Sequence, residues 1–254
     1  MKFQRDDWLS SALGYAVYRV MIDGQTPPEP DQLAATSAPL LNRYERAFYF
    51  AKVPTTASGW MATLTRIGFM VMDVNVTFAY PVEQPLQVDL NPAITVQPIK
   101  PEYHDAVLDI AKSCFVYSRF HLDPHISPQA DGLKREWIHS YVKKQRGVGL
   151  YVALVKGVPA GFLAVIDAQH GTERRIIVDL IGVDKAFQGQ GVGTALMAYF
   201  VQTFQGECDS LRVGTQVANV PSIRLYERMG FRFVGSIYVM HAHTQDGKVI
   251  TYDV

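Results

Sequence analysis

The sequence has little cysteine and no excess of charge of either sign. The two cysteines, Cys114 and Cys208, form no C-x-x-C pair and have no histidine pair nearby to complete a zinc site. With 24 basic and 24 acidic residues the formal net charge is zero, so no overall field draws the chain to nucleic acid or to an anionic membrane. We therefore expect reduced, buried cysteines, no metal, and no nucleic-acid or membrane partner.

Long apolar runs are also missing. No stretch approaches the roughly 20 apolar residues that a helix needs to cross a bilayer. Arg5, Asp6 and Asp7 interrupt the N-terminal apolar stretch where a secretory leader would need its hydrophobic centre. We expect a cytoplasmic protein. The chain does have 48% apolar residues, with 13 Tyr and 13 Phe among 254, which is enough to bury one sizeable core or two modest ones.

Hydrophobic periodicity beyond residue 92 predicts a mixed α/β domain with its strands bunched in the middle. The predicted strands cover 94–99, 149–155, 160–168, 174–183, 210–217 and 232–242. The predicted helices cover 102–115, 129–145, 191–205 and 220–229. A proline-rich stretch at 80–94 is typical of a linker, so we place a domain boundary near residue 92.

An internal repeat relates residues 51–78 to residues 213–240 at a constant offset of 162 (213 minus 51). Both copies follow the order strand, polar turn, short helix ending in Gly-Phe, and strand. The first copy has no glycine cluster and has Leu64 where the second has Tyr226. We interpret residues 1–92 as half of a related fold that lacks the polar residues of the second copy. Chance similarity of two β-α-β pieces is the alternative.

A glycine cluster follows the apolar stretch IIVDLIGV at residues 176–183, and an amphipathic helical pattern follows the glycines Gly189, Gly191 and Gly193. A strand, a glycine turn and a helix N-terminus can aim backbone N–H groups at phosphate. A P-loop is excluded because no Lys-Ser/Thr pair follows, and the G-x-G-x-G spacing fits a dinucleotide-binding fingerprint poorly. A glycine-rich turn without a ligand is the remaining alternative.

Two motifs carry a family resemblance. QGQGVG, residues 188–193, matches the Gln/Arg-x-x-Gly-x-Gly/Ala signature of the GNAT superfamily of acyl-coenzyme A dependent N-acyltransferases. NVPSIRLYERMGF, residues 219–231, has the Asn, the Tyr seven residues on and the Gly-Phe end that follow in that family. Over about residues 93–243 the sequence resembles the family.

The resemblance implies an α/β (α+β) GNAT fold, in which helices flank a central mixed and mostly antiparallel sheet. Residues 93–254 would form the catalytic domain, preceded by a truncated GNAT-like N-terminal domain over 1–92. Half of such a unit cannot bury its apolar face alone, so residues 1–92 should pack against the C-terminal domain or against a second copy in a homodimer. We expect one acetyl-CoA per chain.

The resemblance also implies that backbone groups at a strand end, the glycine loop and a helix start hold acetyl-CoA. The helix dipole there favours the pyrophosphate. The residues assigned to the cosubstrate are Ile181, Gly182, Val183, Gln188, Gly189, Gln190, Gly191, Val192, Gly193, Thr194, Asn219 and Ser222. Asn219 has a second interpretation as the N-cap of its helix.

Two side chains are assigned to catalysis. Tyr226 occupies the position where the family's Tyr hydroxyl approaches the coenzyme sulfur, and a phenol with a pKa of about 10 is suited to protonate a thiolate. Asp179 is the one carboxylate in an apolar strand, and strict alternation places it on the face of Ile181 and Val183. It would accept the amine's proton or serve as a partnered structural carboxylate; the sequence favours neither.

The acceptor should lie against residues 113–144, where SRFHLDP is similar to the bacterial TDP-fucosamine acetyltransferases but departs from them after Arg-Phe. The residues assigned to the acceptor are Arg119, Phe120, His121 and Asp123. A capped, salt-bridged loop is the alternative for this segment. His121 and His125 flank Pro124 without an evident third ligand, which argues against a metal.

The expected function is transfer of an acetyl group from acetyl-CoA to a primary amine by direct attack in a ternary complex. A small-molecule acceptor such as a TDP-linked 4-amino-4,6-dideoxy sugar fits the resemblance best. A protein N-terminus, a lysine or a polyamine is the alternative acceptor, and a non-catalytic acyl-CoA-binding protein is the alternative class.

Overall fold

The computed structural model describes residues 1–22, 24, 26–27, 44–250 and 252. The chain forms two compact units. Unit 1 contains Met1–Asn75, Ser118–Gln129 and Gly235–Val254, and unit 2 contains Val76–Tyr117 and Ala130–Val234. Within the described residues, every helix is too short or too polar to span a membrane.

The helices and strands follow the predicted order closely. The strands are β1 Lys2–Arg5, β2 Ala16–Met21, β3 Arg46–Pro54, β4 Met70–Tyr80, β5 Ile94–Pro98, β6 Gly149–Val155, β7 Val158–His170, β8 Glu173–Val183, β9 Ser210–Gln216, β10 Arg232–Gln245 and β11 Lys248–Val249. The helices are α1 Asp7–Leu13, α2 Ser58–Arg66, α3 His104–Ser113, α4 Arg119–Leu122, α5 Ala130–Val142, α6 Val192–Phe204 and α7 Val220–Arg228, with 3-10 turns at Pro101–Tyr103, Ser127–Gln129 and Lys185–Phe187. Every element predicted beyond residue 92 is present, with ends that differ by at most three residues.

Unit 2 is built on a sheet in the order β4, β9, β8, β7, β6, β5, to which β4 brings only its part from Val76 onward. Strands β5 to β8 pair antiparallel, and β8 and β9 pair parallel. Along β7, Leu163 and Val165 pack with α6, whereas Phe162 and Ala164 pack with α3 and α5. Helices therefore cover both faces of a mostly antiparallel sheet, as predicted.

One residue breaks the alternation of β8. Ala164 of β7 pairs with Leu180, but its neighbour Val165 pairs with Val178, so Asp179 is an extra residue in the strand. This arrangement is a β-bulge, which bends the strand and reverses the faces beyond it.

The bulge corrects one prediction about Asp179. Val178 packs in the cluster on the α6 side, and after the bulge Ile181 and Val183 contact that cluster while Leu180 packs on the opposite face. Asp179 contacts α5, on the face of Leu180. The expectation that Asp179 shares a face with Ile181 and Val183 is wrong, because the extra residue shifts the alternation by one.

Unit 1 contains residues 51–75 of the first copy of the internal repeat. Its sheet has the order β1, β2, β3, β10, with β2 and β3 parallel and β3 and β10 antiparallel. Helix α2, Ser58–Arg66, lies at the offset of 162 from α7, Val220–Arg228, and the flanking strand ends coincide at the same offset. The repeat is thus present in the secondary structure, and the GNAT-like origin of the N-terminal region stays a prediction.

The units do not follow the boundary placed near residue 92, which falls inside unit 2. Unit 1 uses only residues 1–75 of the predicted N-terminal domain and adds two later segments. The reason is that β3 pairs with β10 over nine positions, from Arg46 with Gln245 to Pro54 with Ile237. Sequence proximity does not reveal a strand pairing over such a distance.

Candidate active site

The loop between β8 and α6 is a glycine turn with an open backbone. Gly189 and Gly191 have left-handed backbones, with φ of 76° and 92°. A Cβ at 189 would meet nothing within 4 Å, and one at 191 would make only ordinary contacts. Left-handed residues in a turn can orient neighbouring N–H groups toward a common point, which is an anion-binding arrangement.

The polar side chains of this loop fold back onto its own backbone. Asp184 caps the 3-10 turn by accepting from the Ala186 amide at 2.8 Å, and the Gln190 side chain donates to the Ala186 carbonyl at 2.9 Å. The Gln188 side chain donates to the Val183 carbonyl at 3.4 Å. At the start of α6, Gly191 is the N-cap, and no side chain among the described residues caps the helix. The first amides of α6, at Val192, Gly193 and Thr194, are therefore left for a ligand or for water.

Gly193 has a packing role that the sequence did not suggest. Its Cβ would lie 3.1 Å from Leu225 Cδ2 and 3.9 Å from Val183 Cγ2. The absence of a side chain lets α6 and α7 approach closely beside the end of β8. Of the three glycines, two provide left-handed turns and the third provides close packing.

The backbone of β8 is unpaired toward β9 beyond the bulge. Among the described residues, the parallel ladder runs from Arg175 with Ser210 to Val178 with Val213, although β8 continues to Val183 and β9 to Gln216. The segment that contains Ile181, Gly182 and Val183 therefore has ladder bonds on the β7 side only. This free edge adjoins the glycine loop.

Helix α7 aligns three of the predicted residues on successive turns. Asn219 is the N-cap: its side chain accepts from the Ser222 amide at 3.3 Å and donates to Thr215 Oγ1 at 3.1 Å. Tyr226 is 2% exposed and shares a hydrogen bond with the Ser222 side chain. Burial raises the pKa of Tyr226 to about 12, so the phenol holds its proton at neutral pH.

Asp179 is fully engaged by neighbouring side chains. Its Oδ2 accepts from Trp137 Nε1 at 2.9 Å, from the Tyr141 hydroxyl at 2.7 Å and from Arg146 Nε at 2.7 Å, and Arg146 Nη2 lies 3.2 Å from Oδ1. Burial alone would raise the pKa of this carboxyl, but the bonds from Arg146, Tyr141 and Trp137 lower it. A carboxylate with a lowered pKa and four accepted hydrogen bonds is a weak base, which favours the structural interpretation of Asp179.

The predicted acceptor residues are in unit 1, whereas the glycine loop and Tyr226 are in unit 2. Asp123 is fully buried, and its Oδ2 lies 2.6 Å from His241 Nδ1 and 2.8 Å from His243 Nε2. Arg119 lies over the rings of Phe50 and Phe120, at 4.3 Å and 4.5 Å from their centroids.

Phe120 is also buried, and His121 bonds to Ser118 Oγ at 2.6 Å. These contacts favour the alternative of a structural loop, which is held here by hydrogen bonds and ring contacts.

Arg119 fixes the proton positions in this cluster. Its Nη1 lies 3.2 Å from His241 Nε2, and because a guanidinium only donates, Nε2 accepts and Nδ1 carries the proton toward Asp123. Asp123, His241 and His243 each place one potential metal ligand within 4.8 Å of the others, but His241 Nδ1 is a donor in this arrangement. Hydrogen bonds join Asp123 to both histidines and His241 to Arg119.

Sequence reasoning missed His241, His243 and the partners of Asp179. The order Met240, His241, Ala242, His243 carried a usable signal. Met240 and Ala242 pack in the apolar core of unit 1 while the two histidines lie on the other face, the alternation expected of a strand with one polar face.

Both cysteines are free and only partly buried, and burial raises the pKa of Cys114 to about 12.

The fold and this loop define an N-acetyltransferase class of structure. A GCN5-related N-acetyltransferase from Kribbella flavida superposes with a TM-score of 0.60 at 14% identity, over 89% of this chain and 80% of that one. Residues 105–231, half of the chain, match the Acetyltransferase (GNAT) family. The chain belongs to this family.

Two curated relatives are similar over part of the chain. The spore coat polysaccharide biosynthesis protein SpsD of Bacillus subtilis is 32% identical over 154 residues, which are 59% of this chain and 51% of SpsD. A mycothiol acetyltransferase of Acidothermus cellulolyticus is 34% identical over 90 residues, which are 35% of this chain and 28% of that protein. The alignments thus span about half or less of each relative.

We predict that Asp179→Asn destabilises unit 2, although it replaces only one carboxylate oxygen by an amide NH2 group. The Arg146 guanidinium would lose its charged partner, and the free energy of unfolding should fall by about 1–3 kcal/mol. Asp167→Asn is the matched control, because Asp167 forms an exposed pair with Arg174 on the same two strands and should cost less than about 1 kcal/mol. Urea denaturation of both variants measures the difference, and equal costs would contradict this assignment.

We predict that His241 makes the protein sensitive to acid. Burial lowers the pKa of His241 to about 3, below its unfolded value of about 6.5. Below about pH 6.5 the unfolded chain therefore binds a proton at His241 that the folded chain does not bind. The free energy of unfolding falls by up to about 1.4 kcal/mol per pH unit as the pH drops from about 6.5. The carboxyl of Asp123 has a lowered pKa because of its two histidines, so it adds a loss in the same direction below its unfolded pKa of about 3.9.

The variant that tests this prediction is His241→Asn, which keeps a donor near the Nδ1 position and cannot bind the proton. Its unfolding free energy should be lower at neutral pH and should depend less on pH between about 6.5 and 4. Urea midpoints across this range provide the measurement. An unchanged pH slope in the variant would show that His241 is not the responsible group.

Proposed function

We propose that this protein transfers an acetyl group from acetyl-CoA to the amine of a small molecule. The observation that carries the proposal is the open glycine turn at 189 to 191, which precedes a helix whose N-terminus is capped by no side chain in the part of the chain that the structure describes. Amides so arranged match a pyrophosphate in geometry and in the sign of the helix dipole. Membership of the GNAT family supports the same ligand.

The free edge of β8 supports the position proposed for the thioester. The segment Ile181 to Val183 adjoins the glycine loop and, among the described residues, has no β9 ladder partner. Those of its amides that point away from β7 are suited to donate to the thioester carbonyl and to stabilise the charge that develops on its oxygen. The amine attacks the carbonyl carbon, the carbon–sulfur bond breaks, and Tyr226 donates a proton to the departing thiolate. Asn219 and Ser222 order the helix that carries Tyr226.

We do not assign Asp179 the role of base, because its carboxylate already accepts hydrogen bonds from Trp137, Tyr141 and Arg146. The proton of the amine therefore passes to solvent water, and Tyr226 regains a proton from water after it has protonated the thiolate. Of the two alternatives that the sequence left open, we propose that Asp179 is a structural carboxylate.

The acceptor we propose is an amino sugar, with a nucleotide-linked 4-amino-4,6-dideoxy sugar as the first candidate. The similarity to SpsD, named for spore coat polysaccharide biosynthesis, favours sugar chemistry. The similarity to a mycothiol acetyltransferase favours a small-molecule amine more generally. A screen of thiol release with amino sugar nucleotides, peptides and polyamines distinguishes these acceptors from a protein substrate, and binding of acetyl-CoA without turnover on any of them would favour the sensor alternative.

We predict that Gly191→Glu abolishes binding of acetyl-CoA and leaves the fold intact. The variant places a carboxylate beside the proposed pyrophosphate, and the two negative charges repel. Gly157→Glu is the matched control, because Gly157 also has a left-handed backbone, with φ of 85°, and open space around its Cβ position. Calorimetry should show lost affinity in the first variant only; equal affinity in both would refute the assignment of the loop.

We predict that Tyr226→Phe lowers kcat by roughly 10²- to 10⁴-fold with the affinity for acetyl-CoA retained, since only the proton donor is removed. Tyr199→Phe on α6 is the control, because its ring packs against Tyr151 and its hydroxyl has no role in the proposal. Steady-state rates and calorimetry on both variants provide the readout. Near-normal turnover of Tyr226→Phe would assign this side chain to the core.

A further inference from the structure

The side chains that hold Asp179 converge on the bulge from a single stretch of chain. Trp137 and Tyr141 are on α5, and Arg146 is in the turn that follows. The guanidinium of Arg146 also lies 4.8 Å from the centre of the Trp137 ring. Asp179 is therefore held by donors from outside its own strand, and its side chain is only 10% exposed.

The turn that carries Arg146 is itself fixed to the other side of the bulge. Gly147 has a left-handed backbone, and a Cβ there would overlap the Tyr141 ring and lie 2.5 Å from the Val165 carbonyl oxygen. The next residue, Val148, donates its amide to that same carbonyl at 2.9 Å. Val165 is the β7 residue at which the register shifts. The turn thus contacts β7 at the bulge through its backbone and β8 through Arg146.

This arrangement constrains a strand segment that lacks other support. Beyond Val178 the backbone of β8 has ladder bonds to β7 only, and a bulge allows a strand more than one local direction. The two bonds from Arg146 to Asp179 have the geometry of a guanidinium fork, which sets orientation as well as distance. The first residues whose direction they determine are Ile181 to Val183.

We propose that Arg146 is a positioning residue, which fixes the bulge at Asp179 and so aims the β8 amides of Ile181 to Val183 at the thioester carbonyl. The inference rests on the proposed function, which places the carbonyl there. Arg146 touches neither the cosubstrate nor the acceptor in this proposal, and the glycine loop that would hold the pyrophosphate does not depend on it.

The test compares Arg146→Ala and Arg146→Lys with Arg174→Ala. Arg174 forms an ion pair with Asp167 at the far end of the same two strands, with Nη2 and Oδ2 2.8 Å apart, and serves as the matched control. For each protein we would measure kcat, the affinity for CoA without an acetyl group, and hydrogen exchange of the β8 amides without ligand. Arg146 has a side chain 35% exposed, so methylguanidinium can reach the site in the alanine variant.

For Arg146→Ala we expect kcat to fall about 10- to 100-fold, because a small misplacement of the reacting groups can cost that much. Affinity for CoA should stay unchanged, exchange of the amides at 180–183 should accelerate, and methylguanidinium should restore kcat where methylammonium does not. Arg146→Lys should show an intermediate loss, since a lysine supplies charge without the fork. Arg174→Ala should match the wild type.

Unchanged kcat and exchange in Arg146→Ala would overturn the proposal. A parallel loss of kcat and CoA affinity, or a loss that methylguanidinium does not reverse, would also overturn it by indicating general damage to the unit. If the wild type neither binds CoA nor releases thiol, the proposed function fails, and the exchange measurement then decides the role of Arg146 in holding the strand by itself.

Discussion

One extra residue in β8 determines the arrangement around it. Without the bulge at Asp179, strict alternation from Val178 would take Ile181 and Val183 out of the cluster beside α6 and would put Leu180 into it. The bulge coincides with the last pair of the β8–β9 ladder, so the strand changes its faces and loses a neighbour at the same place. A carboxylate at this position is costly to bury unless it is fully bonded, and four bonds from three side chains meet that requirement.

Sequence periodicity predicted the elements of unit 2 well and its irregularities poorly. The apolar face of α6 and the central apolar strand have strong, regular patterns, and both elements occur where the patterns place them. The bulge breaks a period of two and leaves no mark in composition. The pairing of Arg146 with Asp179 joins positions 33 residues apart, which no local pattern encodes. Helix α4 is a single turn of four residues, too short to show any period.

In the candidate site too, contiguous motifs could be recognised from the sequence, whereas contacts between distant residues could not. The glycine loop, the N-cap Asn219 and the helix that carries Tyr226 could all be found because their chemistry lies in contiguous motifs. Residues 119–123 carried an equally polar signature, yet Arg119 and Asp123 are bonded to the histidines of β10. A buried network and a binding site draw on the same residue types, and only the distant strand distinguishes them.

The pairing of β3 with β10 has a consequence for how the chain is made. Arg46 and Gln245 are 199 positions apart (245 minus 46), so the ribosome completes β3 long before its partner exists. During that interval β3 presents an open strand edge with the apolar residues Phe48 and Phe50, a surface prone to pair with other chains. Unit 2 can close its own ladders earlier, because every strand from β5 to β9 precedes residue 217. The sheet of unit 1 therefore stays incomplete until β10 has been synthesised.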